Sequence, residues 1–279
     1  MIPVRAPVVA GTFYNLDKEM LKRQIDRCFN HKLGPKETKK QSFVAAVVPH
    51  AGYEFSGPVA SWVYSRIEKV NYIILGPNHT GMGSNFALMK YGIWKTPLGE
   101  TIINEKVAEK ILEECKILEF DVMAHEKEHS IEVQLPFLQY RFGDDFKFIP
   151  ISILSEFADE TLLESCRLIG KCIADVLKKQ KEKWIILASS DFSHYIPQER
   201  AKKVDKYVIK AILNLDEKDF FARINEKNAS VCGFGPIATT IVIAKELGAK
   251  KGELLKYSTS GDITGDFGAV VGYGAIIFK

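Results

Sequence analysis

The sequence has little of what marks secreted or membrane proteins. Cysteine occurs only five times in 279 residues, an odd number without a Cys-x-x-Cys pair. That usage argues against a disulfide framework or a zinc ribbon and fits a reducing compartment. No apolar run approaches the length of a membrane span, and the opening stretch "MIPVRAPVVAGTFY" lacks the apolar core of a signal peptide. We therefore expect a cytoplasmic protein that does not associate with membranes.

An excess of charge of one sign is also missing. The 38 lysines and arginines nearly balance the 35 aspartates and glutamates, which leaves a formal net charge of +3. A dedicated nucleic-acid binder usually carries a concentrated basic face. The richest basic stretch, "KLGPKETKKQ" at 32–41, contains no aromatic residue, so we interpret it as a solvated linker. We expect no nucleic-acid partner.

Apolar segments are abundant, since 46% of the residues are hydrophobic. Short apolar runs typical of buried strands alternate with segments of helical periodicity. The strands are predicted at 43–48, 71–79, 146–154 and 183–194, and the helices at 17–31, 59–70, 104–115, 130–142, 159–179, 200–213, 216–225 and 236–247. This alternation predicts a three-layer α/β/α fold with a mostly parallel or mixed central sheet. Two further strands at 252–261 and 268–278 predict an antiparallel addition at one edge. Residues 1–279 contain no convincing linker and are read as one domain.

Polar residues follow three of the apolar strands. His50 comes after the first strand, His79 after the second, and Asp191 and His194 lie in "SSDFSH" after the fourth. In open α/β sheets, ligands bind outside the carboxyl ends of the strands. We therefore expect these side chains to converge on one crevice, although each taken alone is better explained as the cap of a strand or of the next helix.

The stretch "HEKEH" at 125–129 matches the H-E-x-x-H pattern of helical zinc sites. Two charged residues, Lys127 and Glu128, occupy the positions where such helices carry apolar residues, and no third ligand follows at the metzincin spacing. We therefore predict that His125 and His129 share no metal ion. We expect His129 to precede or cap the next helix, where His129 or Glu132 would surround the metal ligands.

Cys232 differs from the other cysteines. It lies in "SVCGFGPIATT", just before a predicted helix, whereas the other four fall within helical patterns and are interpreted as small buried apolar residues. A thiol at a helix amino terminus has a lowered pKa, so Cys232 is a candidate metal ligand or nucleophile. Asp262 and Asp266, in a glycine-rich stretch, are interpreted as turn residues.

Six sequence blocks, in order over nearly the whole chain, resemble the Memo family, which is named after a mediator of receptor-driven cell motility in animals. They are "RAPVVAGTFY", "PHAGYEFSGPVA", "LGPNHTG", "EHSIEVQLPFLQ", "SSDFSHY" and "CGFGPI". The resemblance implies a fold like that of class III extradiol dioxygenases, with a metal pocket. It implies His50, His79 and Cys232 as metal ligands. It also implies Asp191 and His194 as catalytic pocket residues, with His194 in the place of an acid/base histidine.

A cysteine in place of the carboxylate ligand of those dioxygenases changes the expected chemistry. Thiolate is a softer donor, which favours thiolate-ligated Fe(II), copper or zinc. Three functions are then open. The chain is a metal-dependent redox enzyme or oxygenase using Fe(II) or copper, a zinc-dependent hydrolase, or a non-catalytic module that binds a small molecule or peptide in a vestigial pocket.

Overall fold

A mixed sheet forms the middle of the protein over residues 2–37 and 39–279, which the structure, a computed structural model, describes. Its strands are β1 (Val4–Arg5), β2 (Ala45–Val48), β3 (Asn71–Pro77), β4 (Phe86–Leu88), β5 (Ile93–Thr96), β6 (Gly99–Ile103), β7 (Glu119–Phe120), β8 (Lys147–Ile153), β9 (Trp184–Ser189), β10 (His194–Ile196), β11 (Gly252–Thr259) and β12 (Val270–Phe278).

The centre of the sheet is parallel, and antiparallel pairs occur toward its margins, where β1 nevertheless pairs in parallel with β5. The main path runs β1-β5-β6-β8-β3-β9-β2-β12-β10. Strand β3 pairs in parallel with β8 and β9, and β9 pairs in parallel with β2. Strand β12 is antiparallel to β2 and to β11, which confirms the predicted antiparallel addition.

Helices cover both faces of the sheet. They are α1 (Lys18–Asn30), α2 (Gly57–Tyr64), α3 (Glu105–Glu114), α4 (Met123–Glu126), α5 (Leu135–Phe142), α6 (Glu160–Lys178), α7 (Gln198–Leu213), α8 (Glu217–Lys227), α9 (Phe234–Glu246) and α10 (Gly261–Thr264). One face packs against α1, α2 and α5, and the other against α3 and α6–α9. No helix among the described residues is both long and apolar enough to cross a lipid bilayer.

The two-faced core explains why the central strands are continuously apolar. In β3, Tyr72 and Ile74 face one hydrophobic cluster, while Ile73 and Leu75 face the other. Side chains alternate between the faces of a strand, so a sheet covered on both sides needs an apolar residue at every position. The predicted three-layer α/β/α class is therefore confirmed.

Several predicted boundaries are wrong in instructive ways. The helix predicted at 59–70 ends at Tyr64, where the Ser65 hydroxyl donates to a backbone carbonyl of the last turn. The segment predicted as one helix at 130–142 starts as a 3₁₀ turn, Glu132–Gln134, before α5. The strand predicted at 183–194 breaks after Ser189 and resumes as β10, paired with β12 rather than with the parallel strands.

The two late aspartates bond to the nearby chain, as the turn interpretation expects, but Asp262 lies in the short helix α10 whereas Asp266 follows that helix. The Asp262 carboxylate accepts hydrogen bonds from the Ser258 hydroxyl and the Thr259 backbone N–H, at 2.7 and 2.9 Å. The Asp266 carboxylate accepts the backbone N–H of Gly268 at 2.9 Å. Both carboxylates are therefore occupied by the local chain.

Candidate metal centre

Adjacent parallel strands bring three of the predicted site residues together. His50, His79 and Asp191 each lie two residues beyond the carboxyl ends of β2, β3 and β9. Because β9 lies between β2 and β3, the three tips are neighbours at one edge of the sheet. The sheet topology thus places these residues at a common crevice.

Three imidazoles cluster at this crevice. His50, His79 and His129 each offer a ring nitrogen, and these nitrogens lie within 4.8 Å of one another. The ring centroids are 5.2 Å apart for His50 and His79, 5.5 Å for His50 and His129, and 4.9 Å for His79 and His129. His50 is buried, whereas the side chains of His79 and His129 are 33% and 23% exposed. The cluster therefore has one deep donor and two donors that reach solvent.

The hydrogen bonds of Ser189 fix the tautomer of His50. The Ser189 hydroxyl donates its single proton to the carbonyl of Ser130 at 2.7 Å and accepts from Nε2 of Gln134 at 2.8 Å. It must therefore also accept from Nδ1 of His50, 2.9 Å away. The proton on Nδ1 leaves Nε2 of His50 unprotonated, with the lone pair that a metal ligand requires. Burial, followed by the neighbouring His129 and His79, holds the pKa of His50 well below its ordinary value and keeps the ring neutral.

Glu128 organises the two outer histidines. One of its oxygens, Oε1, accepts from Nδ1 of His79 at 2.9 Å and from the backbone N–H groups of His129 and Ser130 at 2.9 and 2.8 Å. The other, Oε2, accepts the backbone N–H of His79 at 2.6 Å. Burial acts to raise the pKa of Glu128, but the bonds and charges around it, chiefly from His79, lower that pKa to about 2. A carboxylate behind a histidine orients the ring and raises its basicity.

Cys232 lies against the innermost histidine. Its sulfur is 3.3 Å from Nε2 of His50 and accepts the backbone N–H of Asp191 at 3.3 Å. Burial, with the nearby Asp191 charge, raises the pKa of this thiol far above its ordinary value. The lowered pKa predicted from the helix terminus is therefore wrong, because desolvation outweighs the dipole of α9, which begins at Phe234.

Asp191 and His194 are held by separate hydrogen-bond partners. Asp191 accepts the backbone N–H of His50 at 2.9 Å, and burial raises its pKa to about 6. Nδ1 of His194 lies 2.7 Å from the carbonyl of Ser230, and its backbone N–H donates to the Ser230 hydroxyl. Asp191 therefore does not orient the ring of His194, because the Ser230 carbonyl contacts Nδ1 of His194 and the Asp191 carboxylate accepts from the backbone after β2.

A cleft of about 490 Å³ opens beside these groups, and His79, His194 and Cys232 line it. Two aromatic side chains on its wall are largely exposed, Phe157 at 73% and Tyr195 at 78%. Tyr195 has φ 56°, a left-handed backbone conformation that non-glycine residues seldom adopt and that concentrates at functional sites. The cleft thus gives an organic ligand a route to the histidines.

The H-E-x-x-H stretch does not form a helical zinc site. Helix α4 ends at Glu126, so His125 and His129 do not share a helix face. The His125 ring is fully buried and packs edge-on against Trp94 at 5.8 Å, and that burial is the main cause that lowers its pKa to about 4. His129 instead joins His50 and His79. We expected His129 to surround the ligands rather than to contribute a donor, and no local sequence pattern indicates the donor position that the structure gives it.

The donor set fits a transition metal. Imidazole and thiolate donors suit iron, copper and zinc, whereas magnesium and calcium prefer oxygen ligands. Two of the rings already have their Nδ1 atoms engaged by Ser189 and Glu128, which is the usual arrangement behind metal-bound histidines. The residues present therefore match the kind of metal that the sequence suggested.

Comparison with known proteins places the chain in context. A family model described as "Memo-like protein" matches residues 5–277. Similar proteins include MEMO1 family proteins from Methanopyrus kandleri (44% identical) and from Methanococcoides burtonii (46% identical). The first alignment covers 99% of both chains, and the second covers 99% of this chain and 100% of the relative.

A solved structure shares the fold at much lower sequence similarity. The crystal structure of an uncharacterized protein from Escherichia coli K12 superimposes with a TM-score of 0.52 and 13% identity. It covers 85% of this chain and 100% of its own. At this identity the likeness concerns the arrangement of helices and strands.

Proposed function

The chain belongs to the Memo family, and on that premise we propose that it is a metal-dependent redox enzyme that acts on a ligand in the cleft. The observation that carries the proposal is the convergence of His50, His79 and His129 within 4.8 Å, with the Cys232 sulfur 3.3 Å from the innermost ring. Such a set of nitrogen and sulfur donors has no structural need to meet at a sheet edge unless it binds something there.

His50 and His79 are the first two ligands in this proposal. The third is Cys232, as the family resemblance implies, or His129, which the geometry adds. Cys232 carries its proton in the metal-free protein, so ligation by sulfur would release a proton, whereas ligation by His129 would not. Fe(II) or copper is the proposed metal, and zinc is the alternative. Bound Fe(II) or copper would supply one-electron chemistry next to the cleft.

The chain itself supplies proton-handling groups in this proposal. His194 lines the cleft with Nδ1 held by Ser230, which leaves Nε2 to exchange a proton with a bound ligand. Asp191 lies behind His50, and its pKa of about 6 lets it change charge near neutral pH. We assign the acid/base role to His194. Asp191 is assigned a second role, in which its carboxyl group gains or loses a proton according to whether the imidazoles bind a metal ion.

The proposed ligand is a small organic molecule or a peptide segment. Among the described residues that line the cleft there is no lysine or arginine, and the exposed aromatic rings of Phe157 and Tyr195 offer apolar contact. The five cysteines are free thiols, which supports the proposal that the protein works in the reducing cytoplasm.

The test is metal content together with redox activity. Protein purified without chelator or affinity metal is analysed for iron, copper and zinc, and then assayed for oxygen consumption. We expect about one metal ion per chain, which His50→Ala abolishes and the control His31→Gln, at the end of α1, retains. Zinc without redox cycling would favour a hydrolase, and a chain that binds no metal would refute the proposal.

Two variants identify the third ligand. Cys232→Ser keeps the size of the side chain but loses the soft donor, whereas His129→Gln removes the outer imidazole. If sulfur is the ligand, Cys232→Ser weakens the binding of copper or zinc far more than His129→Gln does. It also abolishes the release of a proton on binding when this is measured at pH 8, where Asp191 is already ionised. The opposite ranking assigns the position to His129.

A further inference from the structure

A buried arginine holds the segment that carries Glu128 and His129. Arg5 donates through Nε to the carbonyl of His125 at 2.6 Å and through Nη2 to the carbonyl of Glu128 at 2.5 Å. Its third contact is an ion pair between Nη1 and Glu132 Oε2 at 2.8 Å, in which both side chains are buried. The guanidinium therefore fixes the backbone at both ends of residues 125–128.

Glu132 anchors the rest of the same amino-terminal segment, residues 5–14, which we name the N-terminal strap. Its carboxylate accepts the backbone N–H groups of Val8 and Val9 and the hydroxyl of Tyr14, the last at 2.6 Å. The strap is therefore attached through one buried carboxylate at its beginning, middle and end.

The strap also contacts the imidazole cluster directly. The Phe13 ring meets the His129 ring edge-on, with centroids 4.9 Å apart. The Phe13 carbonyl accepts the backbone N–H of Tyr53 at 2.8 Å, which ties the strap to the loop after His50. Two separate contacts thus lead from the strap to the histidines, one through Glu128 and one through Phe13.

We propose that Arg5 and Phe13 are positioning residues for the imidazole cluster. Arg5 sets the backbone of 125–128 and with it the Glu128 carboxylate, which accepts from Nδ1 of His79. Phe13 sets the plane of the His129 ring. The inference deepens the proposed function, on which it rests for the statement that the positioned rings bind metal.

The alternative is that the strap only stabilises the fold, so the test needs a signal that stability alone does not move. Nitrogen-15 NMR of the metal-free protein reports which ring nitrogen of each histidine carries the proton. In the wild type we expect His79 to be protonated on Nδ1, facing Glu128. Added Co(II) gives two further signals. The affinity of the protein for Co(II) measures binding at the cluster, and the visible spectrum of the bound ion reports the geometry of its ligands.

Arg5→Lys is the main variant, because lysine keeps the charge beside Glu132 but lacks the planar fork that reaches both carbonyls. We expect mixed tautomers at His79 and Co(II) binding about 10-fold weaker, with a changed spectrum. Phe13→Leu is expected to change the orientation of the His129 ring and to leave the tautomer of His79 as in the wild type. The control is Arg167→Lys, which disturbs a partly exposed pair with Glu217 elsewhere in the fold.

The outcomes separate the two proposals. If Arg5→Lys retains the wild-type His79 tautomer and binds Co(II) within about twofold of the wild type, the positioning role is refuted. If the wild type binds no metal but Arg5→Lys still changes the tautomer, the positioning role stands and the metal centre is refuted. Should Arg5→Lys fail to fold, the same measurements are made on Arg5→Met combined with Glu132→Gln, which removes both buried charges together.

Discussion

Replacing Glu128 by glutamine tests whether a buried negative charge holds the two outer histidines. Four N–H donors point at this carboxylate, one from the His79 ring and three from the backbone of His79, His129 and Ser130. Glutamine keeps one oxygen but turns the other into an NH₂ group, so at least one buried donor faces another donor. An unsatisfied buried group of this kind costs about 1–3 kcal/mol.

The charge itself adds a contribution that depends on pH. The pKa of Glu128 is about 2 in the folded chain against an ordinary value of 4.5, and that difference corresponds to about 3 kcal/mol at neutral pH. Because the folded-state pKa is the lower one, this contribution is complete above pH 4.5 and is lost as the pH falls toward 2. At pH 3.5 about 1 kcal/mol of it has disappeared.

The assay is urea unfolding of metal-free wild type and Glu128→Gln from pH 7 to pH 3.5. The difference in their unfolding free energies should narrow by about 1 kcal/mol over this range, because glutamine cannot titrate. Metal affinity at pH 7 should fall about 10–100-fold. Glu119→Gln, on exposed β7, is the control and should change stability by less than about 0.5 kcal/mol. A difference that stays constant with pH would show that Glu128 is not a stabilised charge.

Three further changes have defined outcomes. Gly76→Ala should destabilise the protein by about 1–3 kcal/mol in thermal or urea unfolding, because its new methyl group would collide with Ser130, whereas Gly268→Ala should be nearly neutral. Cys232, the only partly exposed thiol of the five, should be alkylated first in metal-free protein, and bound metal should protect it. Its raised pKa should make the reaction slower than that of a free cysteine. Mass spectrometry that finds another cysteine modified first would contradict this. Asp191→Asn should stabilise the metal-free protein at pH 7.5 and lose that advantage near pH 4. Burial raises the folded-state pKa of Asp191 from 3.8 to about 6, so the wild type loses stability as the pH rises through that interval. Unfolding curves that show equal stability of the variant and the wild type at pH 7.5 would refute the argument.

The part of the site that the sequence predicted depends on local chain connectivity. His50, His79 and Asp191 follow directly after apolar strands, and parallel neighbours in a sheet bring such positions to one edge. A pattern of strands and turns is therefore enough to group them. The same reasoning could predict the three layers, because continuously apolar strands indicate a sheet that is covered on both faces.

His129 could not be placed in this way. It lies outside any regular element, between α4 and the 3₁₀ turn, and its position depends on Arg5 and Phe13, more than 110 residues earlier in the chain. Contacts between distant segments leave no periodic signal in the sequence. The pKa of Cys232 was mispredicted for a related reason, because the helix terminus is visible in the sequence whereas burial is a property of the folded protein.

The two carboxylates of the centre act in opposite directions on the metal-free fold. Glu128 is held by N–H donors that favour its charged form, so it stabilises the fold while it orients His79. Asp191 is buried with fewer compensating contacts, so its charge destabilises the metal-free protein at neutral pH. A cation among the imidazoles would favour the charged form of Asp191 and remove that penalty. Metal binding and proton loss at Asp191 are therefore expected to be coupled. This coupling is a physical reason for an acidic group behind His50, although its charge lowers the stability of the metal-free protein.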